Sequence, residues 1–152
     1  MTISSAGLHA VVGSGMDVLP AEIARRHGAD SHHVAQQLTR ELVESSSIIL
    51  TMTRAQQSEL IEEFPFALKR TFTLVELTRL LDELPSAVLP PDTESNRTLF
   101  DVAVDASRNR SAIARRPDDD IDDPYRRSDE THEQVGTRII KQVDRLAVLL
   151  RN

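Results

Sequence analysis

The sequence predicts an α/β domain in which helices flank a parallel sheet. Short segments with β preference alternate along the chain with helical patterns, which is the order that parallel βαβ units require. The run Ile48-Ile49-Leu50 is apolar without alternation, as in a strand covered on both faces. With 152 residues the chain is long enough for a hydrophobic core, so we expect residues 1–152 to fold as a single domain.

The N-terminal third is predicted to form a strand and two short helices. Residues 3–5 are β-permissive and run into the turn sequence Ser-Ala-Gly. A short helix is expected to begin at Pro20, because proline is favoured at the first helical position, and to stop at Gly28. Thr39 is a candidate N-cap for a helical turn that reaches Val43.

The central region predicts two further strands and two helices. One strand lies within residues 46–52, around the apolar run described above. Residues 54–64 carry apolar side chains at helical spacing and predict an amphipathic helix, and residues 69–72 are suited to a short strand. Thr73 then caps a leucine-rich helix, and Glu76 at its third position completes a capping box.

The C-terminal half predicts an irregular insertion followed by a long helix. Residues from about 82 to 117 are expected to be a mobile insertion, since 82–96 follow neither a helical nor a strand period, although 100–108 have helical character. Five of the six residues from 118 to 123 are aspartates, which predicts an acidic loop. Residues 131–150 hold an apolar stripe at helical spacing over their whole length, which predicts the final helix.

Composition narrows the class of protein. A formal net charge of -6 and a pI near 5.3 argue against a nucleic-acid binder, because phosphate neutralisation needs a basic face. Aromatic residues make up only 3%, too few for a base-stacking platform. No apolar run approaches the roughly 20 residues that cross a bilayer. A secretory signal begins with basic residues, whereas the first arginine or lysine of this sequence is Arg25. We therefore expect a cytoplasmic protein without membrane contact.

Neither a cofactor nor a metal is predicted. The sequence contains no cysteine, which excludes thiolate metal sites and a thiol nucleophile within these residues. The histidines lack metal-ligand spacing, and the aspartates at 118–123 share one stretch of chain, which we interpret as a solvated acidic loop. Within that loop, Pro124 restrains Asp123 to an extended backbone, which can hold its carboxylate at the entrance of a site.

A helix-turn-helix is an alternative interpretation of residues 20–40. Two short helical patterns flank the turn at Gly28, and Val34 and Leu38 are spaced to pack on the first of them. The second pattern has no Arg or Lys before Arg40, and the whole chain is acidic. Its charge therefore disfavours DNA binding through this segment.

Four motifs occur along the chain. They are Ile3-Ser4-Ser5-Ala6-Gly7, the stretch from Gly28 through His33-Val34-Ala35-Gln36-Gln37-Leu38-Thr39, Ile48-Ile49-Leu50-Thr51-Met52, and Asp122-Asp123-Pro124-Tyr125 before a long C-terminal helix. In order and spacing they resemble the low-molecular-weight protein tyrosine phosphatases, over nearly the whole chain. The resemblance implies a phosphotyrosine phosphatase I-like fold and the hydrolysis of phosphotyrosine or other aryl phosphate monoesters.

The resemblance assigns roles to four residues. Asp123 matches the general acid that protonates the leaving phenolate, and Tyr125 matches a residue at the substrate entrance. Ser5 matches the serine that supports the phosphate-binding loop, and His33 matches a buried structural histidine. The implied partner is a phosphorylated protein or a small aryl phosphate. No cofactor, metal or nucleic acid is implied, and the oligomeric state is left open.

The family's signature is a cysteine followed after five residues by arginine, and this sequence contains no cysteine. The resemblance implies that the motif, together with the central N-terminal strand of the sheet, precedes Ser5 in a loop that binds phosphate through backbone N–H groups. We therefore expect this chain to be an N-terminally truncated member, inactive by itself because the nucleophile lies outside it.

Two further expectations follow from that interpretation. Met1 would be an alternative start inside a longer gene, whose upstream codons encode the strand and the loop. The alternative is a genuinely shortened relative that acts as a noncatalytic binding protein. Loss of a central strand leaves backbone groups unpaired, so the isolated chain is expected to be poorly soluble or molten.

Overall fold

Helices surround a short parallel sheet in the computed structural model of the chain. The structure describes residues 2–30, 32–83, 101, 105–108, 117–125 and 127–151. Its helices are α1 (Val18–Arg26), α2 (Arg40–Ser45), α3 (Arg54–Glu63), α4 (Leu74–Glu83) and α5 (Asp129–Arg151), and its strands are β1 (Ile49–Thr51) and β2 (Thr71–Thr73). Turns of 3-10 helix cover Pro65–Arg70 and Pro117–Asp119.

β1 and β2 form the parallel sheet that the sequence predicts. Ile49 pairs with Thr71, and Thr51 pairs with Thr73. All of β2 is buried, whereas Leu50 of β1 is 37% exposed. Side chains alternate between the two faces of a strand, so Ile48 and Met52 share the face of Leu50, and Ile49 lies on the other face. Ile48 and Met52 pack on one apolar cluster and Ile49 packs on another, so both faces of the strand contact the core as predicted, although Leu50 itself is partly exposed.

The second strand begins two residues later than the predicted range of 69–72. Lys69 and Arg70 belong to the 3-10 turn that precedes it. The Thr71 hydroxyl donates to the Ala67 carbonyl at 2.9 Å, which joins the first residue of β2 to that turn. The chain thus reaches an extended backbone only at Thr71.

Residues 3–5 do not form the predicted strand. Ile3 is 81% exposed, and the segment has no regular secondary structure. Within the described residues, backbone pairing begins at Gly7, whose N–H donates to the Gln36 carbonyl at 2.9 Å and whose carbonyl accepts from the Leu38 N–H at 2.8 Å. β preference does not create a strand by itself, because a strand also needs a neighbour to pair with.

The first helix has the predicted end and an earlier start. α1 begins at Val18, so Pro20 is its third residue rather than its first. Proline is tolerated there because the N–H groups of the first turn have no partner within a helix. The helix stops at Gly28 as predicted, with a φ of 74°. The N–H groups of Gly28 and Ala29 bond back to the last turn in the Schellman pattern.

The structure overturns the helix-turn-helix interpretation of residues 20–40. Residues 32–38 contain isolated bridges and no helix, and Val34 is exposed. Leu38 packs beside Val43 and Leu60 rather than on α1. The chain in this region pairs with residues 13–15, through bonds such as that from the Ala35 N–H to the Ser14 carbonyl at 2.8 Å.

The predicted helix caps are confirmed. The Leu42 N–H donates to the Thr39 hydroxyl, which begins α2 where expected. The Glu76 N–H donates to the Thr73 hydroxyl at 3.1 Å, and the Thr73 N–H donates to Glu76 Oε2 at 3.4 Å, so α4 begins with the capping box. α3 begins with a second capping box, from Thr53 and Gln56, that the sequence analysis did not identify.

Two apolar clusters join these elements. The first lies between β2, α4 and α5 and contains Phe72, Leu74, Leu77, Leu80, Leu81, Ala106, Ile121, Leu146 and Leu149. The second lies against α2, α3 and the turn before β2 and contains Val43, Leu60, Phe64 and Ala67. α5 begins two residues before its predicted start and packs Val135 and Ile139 on the first cluster. Val143 is exposed, so the apolar stripe is buried only in part.

Little of the predicted insertion at 82–117 belongs to the described part of the chain. α4 extends to Glu83, so the first two residues of that range are helical. Residues 105–108 are helical, in agreement with the prediction for 100–108, and Ala106 is buried. The mobility expected for the insertion concerns residues that lie outside the described ones.

α1 crosses α5 at Gly136. A Cβ atom at this position would lie 2.8 Å from Ile23 Cγ2, closer than a normal van der Waals contact. Ile23 is buried and β-branched, so it has little freedom to turn away. Arg26 binds Glu133 across the same pair of helices.

We expect Gly136→Ala to lower the free energy of unfolding by about 1 to 3 kcal/mol, because the added methyl group overlaps Ile23 and this outweighs the better helix propensity of alanine. Urea unfolding followed by circular dichroism measures the change. Thr137→Ala, at an exposed neighbouring position, is the control and should have little effect. In an Ile23→Ala background the loss should disappear, and a loss that persists there would contradict the close approach.

Candidate active site

The acidic segment is anchored to the protein by a buried carboxylate. The Asp119 side chain is 2% exposed and accepts from Arg54 Nη2 at 2.8 Å and from Arg79 Nη2 at 2.9 Å. Arg79 Nε adds a longer bond at 3.3 Å. The prediction of a solvated acidic loop is therefore wrong for Asp119, although Asp118, Asp122 and Asp123 are exposed.

Hydrogen bonds place the same segment across the carboxyl ends of both strands. The Ile121 N–H donates to the carbonyl of Met52, directly after β1, at 2.8 Å. The hydroxyl of Thr73, the last residue of β2, donates to the Asp119 carbonyl at 2.9 Å. Asp120 accepts from the first N–H of α3 at 2.9 Å, where the helix dipole favours a carboxylate.

Asp123 lies two residues beyond the last of these anchors. Its Oδ1 accepts from the Tyr125 N–H at 2.9 Å, and Pro124 fixes the backbone between them. The turn continues with a bond from the Arg127 N–H to the Pro124 carbonyl at 2.8 Å. Both Asp123 and Tyr125 are exposed, Tyr125 to 59%. Asp123 and Tyr125, which are two residues apart in sequence, thus share one turn after the carboxyl end of β1.

The two predicted supporting residues also meet. Ser5 Oγ lies 3.3 Å from His33 Nδ1, and the Ser5 carbonyl accepts from Gln36 Nε2 at 2.7 Å. Ser5 is exposed and His33 is half-buried, so the expected buried histidine is buried only in part. In the turn that leads to His33, the His32 backbone N–H bonds to the Asp30 carboxylate and holds the pKa of Asp30 below its ordinary value.

The residues that the sequence analysis missed are those that hold the acidic segment in place. Arg54, Arg79 and Asp119 come from α3, α4 and the C-terminal segment, and no local pattern joins them. The run of aspartates does not indicate which one is buried. The only local sign is Ile121, an apolar residue inside the run, which is buried in the first cluster.

Among the described residues, no group of three or more His, Asp or Glu side chains is placed to hold a metal ion. None of the described helices combines the length and the apolar composition needed to span a bilayer.

The model of the family described as low molecular weight phosphotyrosine protein phosphatase matches residues 1–111. The chain belongs to this family. The matched residues include Ser5 and His33 but end before Asp123 and Tyr125. The family assignment is therefore independent of the turn that carries the predicted acid.

The matches to curated relatives cover about half of the chain. The low molecular weight protein-tyrosine-phosphatase Ptp of Acinetobacter johnsonii is 36% identical over 75 residues, 49% of this chain and 53% of the relative. The probable low molecular weight protein-tyrosine-phosphatase EpsP of Ralstonia nicotianae is 37% identical over 78 residues, 51% and 54% of the two chains. A protein-arginine-phosphatase of Geobacillus stearothermophilus is 32% identical over 72 residues, 47% and 49%. The chain spans about half the length of the curated relatives it matches.

Solved structures share the fold. The YwlE arginine phosphatase of Geobacillus stearothermophilus superposes with a TM-score of 0.67 at 22% identity, over 97% of this chain and 73% of that one. The tyrosine phosphatase AmsI of Erwinia amylovora superposes with a TM-score of 0.66 at 21% identity, with the same coverage. These similarities confirm the predicted α/β class with a phosphatase-like arrangement of helices and sheet.

We expect Ser5→Ala to change the surroundings of the His33 ring, because the Ser5 hydroxyl is the hydrogen-bond partner of Nδ1. The ¹⁵N chemical shift of His33 Nδ1 measures the change. His132, whose Nδ1 lies 3.1 Å from the Ser128 carbonyl, is an internal reference and should not move. The free energy of unfolding should fall by no more than about 1 kcal/mol, since the pair is partly exposed. An unchanged His33 signal would contradict the hydrogen bond.

Proposed function

We propose that this chain supplies the general acid and supporting residues of a low molecular weight phosphatase that hydrolyses aryl phosphate monoesters, with protein phosphotyrosine as the substrate class. The observation that carries the proposal is the turn in which Asp123 and Tyr125 are held together after the carboxyl end of β1. Ligands of parallel α/β sheets bind beyond that edge. Membership of the phosphatase family supports the class of reaction.

In the proposed reaction, Asp123 gives its proton to the ester oxygen as the phosphorus–oxygen bond breaks, so that a neutral phenol leaves. By resemblance the nucleophile is a cysteine thiolate from outside these 152 residues, which becomes phosphorylated and is then hydrolysed. The Asp123 carboxylate takes the proton of the attacking water in that second step. The exposed ring of Tyr125 offers an apolar surface to the aryl group.

Phosphoarginine is the second candidate substrate. A relative named protein-arginine-phosphatase is 32% identical to this chain over the matched region. Cleavage of its phosphorus–nitrogen bond would use the same acid, so Asp123 does not separate the two substrates. Direct comparison of phosphotyrosine and phosphoarginine peptides separates them.

The 152-residue chain is expected to show no turnover of p-nitrophenyl phosphate above buffer, because its sequence holds an acid but no cysteine. A colorimetric assay at high protein concentration measures this. Turnover that is lost in Asp123→Ala would show that another group of the chain acts as nucleophile, and would overturn the cysteine mechanism.

A chimera tests the role of Asp123. An N-terminal segment with the cysteine motif that the resemblance implies is fused ahead of Thr2, and the product is expected to hydrolyse aryl phosphates. Asp123→Asn should then lower kcat by about 100-fold or more on phenyl phosphate, because general acids contribute roughly that much. The loss should be smaller on p-nitrophenyl phosphate, whose phenolate leaves more easily without a proton.

Asp122→Asn is the matched control, because Asp122 is an exposed aspartate directly before Asp123. It should retain the activity of the unsubstituted chimera on both substrates. Equal losses in the two variants, or a loss in Asp123→Asn that does not depend on the leaving group, would contradict the assignment of Asp123 as the acid.

A further inference from the structure

Arg54 and Arg79 hold Asp119 only four residues before Asp123. The carboxylate of Asp119 accepts from both guanidinium groups, at 2.8 Å and 2.9 Å. The next two residues are bonded to the start of α3 and to the end of β1. The chain leaves the core after Ile121, whose side chain is buried, so the exposed turn begins one residue beyond the anchored segment.

We propose that Asp119 is a positioning residue for Asp123, and that its charge, shared between two arginines, sets where the acid-bearing turn lies. The catalytic consequence of this placement rests on the proposed function, whereas the placement itself does not. Arg54 contributes twice, since its guanidinium binds Asp119 and its backbone N–H binds Asp120. Loss of the Asp119 charge therefore disturbs two consecutive anchors of the segment.

The surroundings of Arg79 indicate how the segment would respond. The Arg79 side chain is 12% exposed, and within the described part of the chain its Nη1 is buried without a hydrogen-bond partner. Without the Asp119 charge, a largely buried cation would have to be reached by water. A cavity of about 340 Å³ lies beside Arg79 and Asp119, so the segment has room to shift as water enters.

The Tyr125 amide reports whether the turn is ordered in the 152-residue chain, because it donates to the Asp123 carboxylate within that turn. We expect its hydrogen exchange, measured by NMR and divided by the rate of the same variant unfolded in urea, to be slowed roughly five-fold by that bond. Asp123→Ala should abolish the protection. Asp119→Asn should abolish most of it, and the double variant should exchange no faster than Asp123→Ala alone.

The double variant separates positioning from a merely structural role. If Asp119 only stabilises the fold, Asp119→Asn should accelerate Tyr125 exchange further in the Asp123→Ala background, together with core amides such as that of Leu77. Asp118→Asn is the matched control, since this exposed aspartate directly precedes Asp119, and it should leave Tyr125 protection unchanged. Additive effects of Asp119→Asn and Asp123→Ala would overturn the proposal, as would an unprotected Tyr125 amide in the unsubstituted chain.

Arg54→Gln keeps the test decisive if Asp119→Asn fails to fold. This variant removes one guanidinium and leaves Asp119 paired with Arg79, so it should lose part of the Tyr125 protection. Full protection in a folded Arg54→Gln variant would overturn the proposal. In the chimera, Arg54→Gln should lower kcat on phenyl phosphate several-fold with KM unchanged, and should have no effect in the Asp123→Asn background. The amide measurement needs no turnover, so failure of the proposed function and failure of the positioning role are distinguishable.

Discussion

The ionic contact of Asp119 with Arg54 and Arg79 is the interaction on which the arrangement of the candidate site depends. It joins the first residue of α3, the middle of α4 and the C-terminal segment. A buried ion pair gains little net stability unless its geometry satisfies the charges. Here one carboxylate meets two guanidinium groups, so the contact fixes three elements relative to one another rather than simply adding free energy.

The location of this contact explains how the candidate site can be held at the edge of so small a sheet. β1 and β2 have only three residues each. The same acidic segment bonds to the chain at the end of both strands, to Met52 after β1 and to Thr73 of β2. The capping boxes that begin α3 and α4 directly after the strands turn the chain sharply away. The carboxyl edge of the sheet therefore stays open to the turn that carries Asp123, as in other parallel α/β folds.

How well each feature could be predicted depends on the distance in sequence between the interacting residues. Thr39, Thr73 with Glu76, and Gly28 bond to groups within a few residues, and the sequence predicted all three. The bonds from Asp119 span 65 and 40 residues, and no local pattern indicates them. The strand predicted at residues 3–5 fails for the same reason, since strand formation depends on a distant partner. Asp123, Tyr125, Ser5 and His33 were identified by resemblance. Asp123 and Tyr125 share a turn because they are two residues apart, whereas the contact of Ser5 with His33 joins residues 28 positions apart.

The exposure of Asp123 bears on how it would act in the proposed reaction. Within the described residues its carboxylate bonds to the Tyr125 N–H and is otherwise open, so the turn fixes its position and leaves its surroundings to be completed by the substrate. In the proposed reaction, an aryl phosphate that packs on Tyr125 would shield the proton transfer from water. A substrate without an aryl group would forgo that apolar contact. If Asp123 acts as proposed, a tyrosine ring in contact with the substrate two residues after the acid would favour aryl esters over alkyl esters, in addition to any difference between the leaving groups.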